Sequence, residues 1–151
     1  MANSYQARAT INAWLTANIV LATGHDPADR IAYQGIQGQQ PTEWHISWDT
    51  EQEAETDQQF SRMFQLTRSR ADGDENAFEA EAAALLVALG LNVPGRGATI
   101  PLYNYPEART DAIGVCTVRR QSGRGWGYLP DPAGRTGVIR AAITLLVEYG
   151  P

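Results

Sequence analysis

From Val138 onward the chain alternates: Ile139, Ala141, Ile143, Leu145, Val147 and Tyr149 fall on one parity, and Arg140, Ala142, Thr144 and Glu148 on the other, with Leu146 the one interruption. A period of two is that of a strand with one face against a core. At this length the strand is expected to cross the whole sheet and give the other elements something to pack on. Two more segments share the period. Trp44, Ile46 and Trp48 alternate with Glu43, His45, Ser47 and Asp49, and in residues 60–70 Phe60, Phe64 and Leu66 oppose Thr67 and Ser69. Together they predict an antiparallel hairpin. Its acidic connection, residues 50–59 with Glu51, Glu53, Glu55 and Asp57, is expected to project as an arm.

Two segments repeat instead at helical spacing. Ala7, Ile11, Leu15, Ile19 and Ala22, with Trp14 alongside, predict a helix capped by Asn3 or Ser4 that ends at Gly24, before a turn at His25, Asp26 and Pro27. Phe78, Ala82, Leu85 and Leu89, with Leu86 beside them, predict a second helix. Asn76 followed by Glu79 approximates a capping box at its start, and Gly90 stands where it should stop.

Elsewhere the signal is weaker. Residues 30–36 read as a short strand, ended by Gly38 and Pro41; residues 91–110, with Pro94, Pro101 and Pro106, read as irregular around a brief strand at 99–103. Residues 111–118 read as a strand with both faces partly covered, and 119–137 as a long loop. The sum is a single α+β domain over residues 1–151: a mostly antiparallel mixed sheet with two helices packed on one face.

Composition narrows the setting. A chain of 151 residues can bury a core without a staple. The lone Cys116 forms no intramolecular disulfide, and no Cys and His group has zinc spacing, so a reducing compartment is expected. There is no basic cluster leading into an apolar run at the start, and the longest apolar run, 82–89, falls far short of the roughly 18 residues of a membrane span. The expectation is a soluble intracellular protein. With 17 acidic against 12 basic residues the net charge is −5, which disfavours broad attraction to nucleic acid or anionic membranes. All the basic residues are arginine.

Candidate chemistry is sparse. His25 beside Asp26 is a pairing found in metal-dependent phosphohydrolases, but further ligands are missing and a turn is the ordinary reading. Cys116 with His45 could serve as nucleophile and base; a lone Cys in an apolar strand is more often a small core residue. The carboxylates from Glu51 to Asp57 have nothing apolar around them to shift their pKa values, so the choice lies between a solvated arm and a docking arm for a basic surface. Gly123, Gly125 and Gly127 lack the Lys of a phosphate loop and lead to Pro130 and Pro132 rather than to a helix. The one basic and aromatic cluster is Arg119, Arg120 and Arg124 with Trp126 and Tyr128, residue types common as protein-interface anchors.

In two places the chain resembles the tail terminator proteins of long-tailed bacteriophages. The order of N-terminal helix, strand, hairpin with a variable arm, and an acidic helix over residues 74–89 is one. The other is the run from Gly127 and Tyr128 through Asp131, Ala133 and Gly134 into the closing strand, with Val147, Glu148 and Tyr149 near its end. Residues 91–110 are longer than the family's pattern. The resemblance implies a structural virion protein without enzymatic activity, metal or cofactor: a homohexameric ring at the head-proximal end of the tail, assembled in the host cytoplasm. Such a ring caps the tail tube protein, stops its polymerisation, meets the head–tail connector (neck) protein, and lets viral DNA pass without specific binding and without any membrane. On that reading Glu51, Glu53, Glu55, Asp57, Arg119, Arg120, Arg124, Trp126 and Tyr128 are the expected contacts to neighbouring subunits or rings. Alternatives are another neck, head-completion or tail-tube-like protein, or a small cytoplasmic enzyme using Cys116 or His25 and Asp26.

Overall fold

The computed structural model describes residues 4–23, 31–33, 43–48, 60–105, 108–130, 134 and 136–150. The elements run α1 (Ser4–Thr23), β1 (Ile31–Tyr33), β2 (Glu43–Trp48), β3 (Phe60–Arg70), α2 (Glu75–Leu89), β4 (Ala98–Asn104), β5 (Ala108–Arg120), β6 (Gly127–Tyr128) and β7 (Ile139–Gly150). The strands form one sheet in the order β1-β2-β3-β7-β5-β4, with β6 paired to β7. Only β1 against β2 is parallel; the other pairs are antiparallel. The α+β architecture expected from the alternation is the one observed. The projecting arm at 50–59, the Asn3 cap and the turn at His25, Asp26 and Pro27 lie outside the described residues, and Ser4 is the first residue of α1.

β7 is the central strand, flanked along its length by β3. Residues directly opposite in an antiparallel ladder share a face. The pairs Leu66↔Ile143 and Phe64↔Leu145 therefore put the even residues of β3 with the odd residues of β7. That shared face is the core. Trp44 and Ile46 of β2, Cys116 and Val118 of β5, and Leu102 of β4 join it from the sheet, while Ala7, Ile11, Leu15 and Ile19 of α1 and Leu85 and Leu89 of α2 close it from above. Both helices thus lie on one face. Each fully buried Leu, Ile or Phe in such a cluster contributes about 1.5–3 kcal/mol.

The second helix begins earlier than the Asn76 capping box predicts. Asp74 is extended, at φ −82° and ψ 93°, and its side chain accepts the Ala77 N–H at 3.0 Å, which leaves Asn76 inside the first turn. Asp72 accepts the Asp74 N–H at 3.2 Å and holds the approach. A carboxylate at this position meets both the orphan donors and the positive end of the helix dipole. Gly90 ends the helix at φ 74°, and the Leu91 N–H reaches back to the Leu86 carbonyl at 2.8 Å.

Two further expectations change. Residues 119–137 are not one long loop: β5 continues through Arg120 because Arg119↔Leu146 and Arg120↔Leu145 pair with β7, and β6 adds Gly127↔Ala142 and Tyr128↔Ala141. Nor is the polar side of the hairpin open to water. His45, Thr67, Ser69 and Arg140, on the face away from the helices, are buried as well.

Ile143 is buried on the core face at the middle of the β3–β7 ladder. Ile143→Asp should lower unfolding stability by about 3 kcal/mol or more, by burying an unpaired charge. Chemical denaturation checks this, and an unchanged midpoint would contradict the assigned face.

Candidate functional site

The basic cluster assembles where β4 and β5 meet. Their register ends at Ala98↔Val118, so Gly97 and Arg96 come next to Arg119 and Arg120. At Gly97 the backbones approach closely: a Cβ there would lie 3.1 Å from the Val118 carbonyl oxygen and 3.3 Å from the Thr117 methyl. After β5 a single 3-10 turn, Gln121–Gly123, swings back, and a Cβ at Gly123 would sit 3.6 Å from the Pro94 Cβ. Two Gly-Arg-Gly turns, centred on Arg96 and Arg124, are thereby brought to one corner. Each enters through a glycine at positive φ, 83° at Gly95 and 67° at Gly123, and Ser122 adds a non-glycine residue at 52°. An L residue in that region costs about 1 kcal/mol or more, so surrounding structure must hold the turn in place.

Arg96 and Arg124 are exposed. Arg119 lies on the face away from the helices, 2.6 Å from the Glu148 carboxylate, with half of its side chain in solvent. A surface pair of this kind contributes less than about 1 kcal/mol. Arg120 is half-buried on the opposite parity, and its Nε has no partner among the described residues. Arg96 was not among the expected contacts. Its signal in the sequence is the repeat of Gly-Arg-Gly, visible only once the two copies are seen to be neighbours.

Trp126 and Tyr128 have different roles from each other. Trp126 packs inward, edge-on to Trp44 with centroids 6.5 Å apart and to Phe78 at 6.3 Å, and so joins the two parts of the core. Tyr128 lies on Phe78 at 5.9 Å but is exposed, and its hydroxyl donates to Glu79 and, at 3.5 Å, to Glu75. The hydrogen bond to Glu79 pushes its phenol up to about 12. The row Trp44, Trp126, Phe78, Tyr128 anchors the end of the loop that carries Arg124.

Beside this row an ion cluster, buried at Arg68 and open to solvent at Asp72, stitches sheet to helix. Arg68 lies on the core face, its guanidinium 4.9 Å from the Trp44 ring centre, and its Nε donates to Glu81 of α2 at 2.7 Å. Arg70 reaches the same carboxylate at 3.1 Å and Asp72 at 2.5 Å. The hydrogen bond to Arg70 holds the Asp72 carboxyl below its ordinary range.

Cys116 and His45 do not come together in this geometry. Cys116, opposite Tyr149, faces the core, whereas His45, opposite Thr67 and through it Ala142, faces the other side of the sheet. The two are not a dyad. Burial pushes the Cys116 thiol up to about 12, which disfavours the thiolate a nucleophile needs. Among the described residues no group of three or more His, Cys, Asp or Glu is placed to hold a metal ion, and no helix is long and apolar enough to cross a membrane. Glu51, Glu53, Glu55, Asp57, His25 and Asp26 lie outside the described residues.

No protein-family model matches the chain, and no curated protein is significantly similar to it. Among solved structures similar to it is one whose name states no function, 16% identical, covering 100% of this chain and 98% of its own, with a TM-score of 0.54. At that identity the likeness shows the fold alone.

Two measurements check the site. Because its phenol is raised, Tyr128 keeps its proton and its bond to Glu79 below the ordinary tyrosine range of about 10 and loses them as pH rises towards 12. The alkaline absorbance titration of Tyr128→Phe should therefore lack one step near 12 that the unmodified protein shows. Glu81→Gln should lower stability by about 1–3 kcal/mol in denaturation, since it removes the carboxylate to which the buried Arg68 Nε donates.

Proposed function

We propose that this chain is a structural virion protein of the tail terminator kind, a homohexameric ring that caps the tail tube, stops its polymerisation and offers a surface to the neck. The observation that carries the reading is a stretch of β5 edge that no described strand pairs. β5 spans Ala108–Arg120, but β7 ends at Gly150, opposite Val115. Of residues 108–114, Ala108, Ala112 and Gly114 pair with β4 across two register shifts, and none of the seven pairs with a described strand on the β7 side. A backbone edge of this kind offers N–H and C=O groups to a strand from another chain.

The outer edge of β4 is less available. Pro101 interrupts its donors, Thr10 of α1 accepts the Tyr103 N–H at 3.2 Å, and Gln6 donates to the Asn104 side chain at 2.9 Å. The inner position is thus the better candidate for joining subunits. A ring built by strand addition needs no catalytic group, cofactor or membrane, and it fits the resemblance of residues 127–149 to the family. On this reading the chain resides in the virion, at the head-proximal end of the tail.

Electron microscopy of purified protein and of phage particles tests the reading, with a six-fold ring at the head-proximal tail end expected. A ring elsewhere on the particle would favour a neck or tube protein, and a strict monomer would sink the reading. Proline lacks the N–H an added strand would accept from. Among single proline substitutions at Asp111, Ala112 and Ile113, at least one should therefore abolish the ring while keeping the melting temperature of the subunit.

A further inference from the structure

The paired Gly-Arg-Gly turns are unaccounted for by strand addition, because they sit at the opposite end of β5 from its unpaired edge. Arg96 and Arg124 stand there on neighbouring turns, with Arg119 and Arg120 at the end of β5 beside them on opposite faces, within a chain whose net charge is −5. Of the four, only Arg119 has a carboxylate partner among the described residues, Glu148. Both central arginines are exposed, and both are held on tight turns, Ser122 and Gly123 at positive φ. Guanidinium groups bind carboxylates bidentately, and their planar fork loses less entropy per hydrogen bond formed than a Lys ammonium does.

We propose that this corner is a docking site for an extended acidic polypeptide, and that its occupant is the segment containing Glu51, Glu53, Glu55 and Asp57 of a second copy of the chain. Charge complementarity supplies the argument. Arg96 and Arg124 are exposed on neighbouring turns with the half-exposed Arg119 at the end of β5, and the densest acidic run in the sequence carries four carboxylates at alternate positions, 51, 53, 55 and 57. In an extended strand alternate residues share a side, so all four carboxylates can meet one surface. The described acidic groups are poorer occupants: Asp72 is paired with Arg70, Asp74 caps α2, and Glu79 accepts from Tyr128. Nucleic acid is the competing occupant. It is disfavoured by the acidic balance of the chain and by the placement of Trp126, which packs into the core instead of offering a stacking face.

The inference deepens the ring reading, since it names a contact between neighbouring subunits, and its test separates the two. The full chain carrying serine at positions 51, 53, 55 and 57 is titrated, at low salt, with a labelled synthetic peptide spanning residues 49–59. Binding is expected, weakening with added salt, and falling about tenfold or more in the same chain with Arg96→Gln and Arg124→Gln. Arg96→Lys with Arg124→Lys should recover part of it, and melting temperatures confirm that the variants fold. Equal binding of a peptide with Gln at the four acidic positions, indifference to both arginines, or preference for oligothymidylate over the peptide would overturn the proposal. Rings seen by microscopy in the protein with its natural residues, but unaffected by Arg96→Gln and Arg124→Gln, would sink this corner and leave the ring standing. Peptide binding by a protein that never forms rings would do the reverse.

Discussion

The ladder between β3 and β7 decides most of what surrounds it. Eleven consecutive pairs, from Phe60↔Tyr149 to Arg70↔Ile139, leave no room for a slip, because a shift of one residue would turn Ile143, Leu145 and Val147 away from the helices. The register also commits polar residues. Arg68 shares parity with Phe64 and Leu66, so the ladder that buries those two buries a guanidinium as well. Glu81 answers it from α2 and Trp44 from β2. The ion cluster is therefore a consequence of the ladder, and it aligns α2 against the sheet. A desolvated pair of this kind adds little net stability but penalises any arrangement that separates its partners.

From α2 the constraint passes to the loop after β5. Phe78 stands between Trp126 and Tyr128, and Trp126 in turn meets Trp44, so a segment rich in glycine is pinned by large rings at its end. At its start the 3-10 turn rests on Pro94. Between those two anchors Arg124 stays exposed on a backbone that the rest of the molecule holds still. Rigid aromatic supports under an exposed cation make a more selective surface than a flexible loop with the same composition.

Legibility in the sequence followed the strength of local periodicity. β3, β7 and both helices are readable from Phe64, Leu66, Ile143, Leu145 and the spaced apolar residues of α1 and α2, since one buried face imprints a period. The extension of β5 through Arg119 and Arg120 is not readable, because two charged residues enter the sheet only through pairing with Leu145 and Leu146. The cap at Asp74 lost to Asn76 on paper because Asn76 stands three residues before Glu79; the backbone turn anchored by Asp72 decided otherwise. At the candidate site the arginines after Val118 were visible as a cluster. Arg96 is hidden because its neighbourhood with Arg124 depends on the hairpin, and the inward placement of Trp126 is hidden because its partners Trp44 and Phe78 are distant in sequence.

The β5 edge beside residues 108–114 has a bearing on how much of a partner can be held. The outer edge of β4 is broken by Pro101 and approached by α1. Past Gly150, by contrast, β5 runs on without a described strand on its β7 side, so an entering strand would continue the column of β7 instead of adding one beyond β4. The length of β5 beyond Val115 then sets how many backbone pairs such a partner can make.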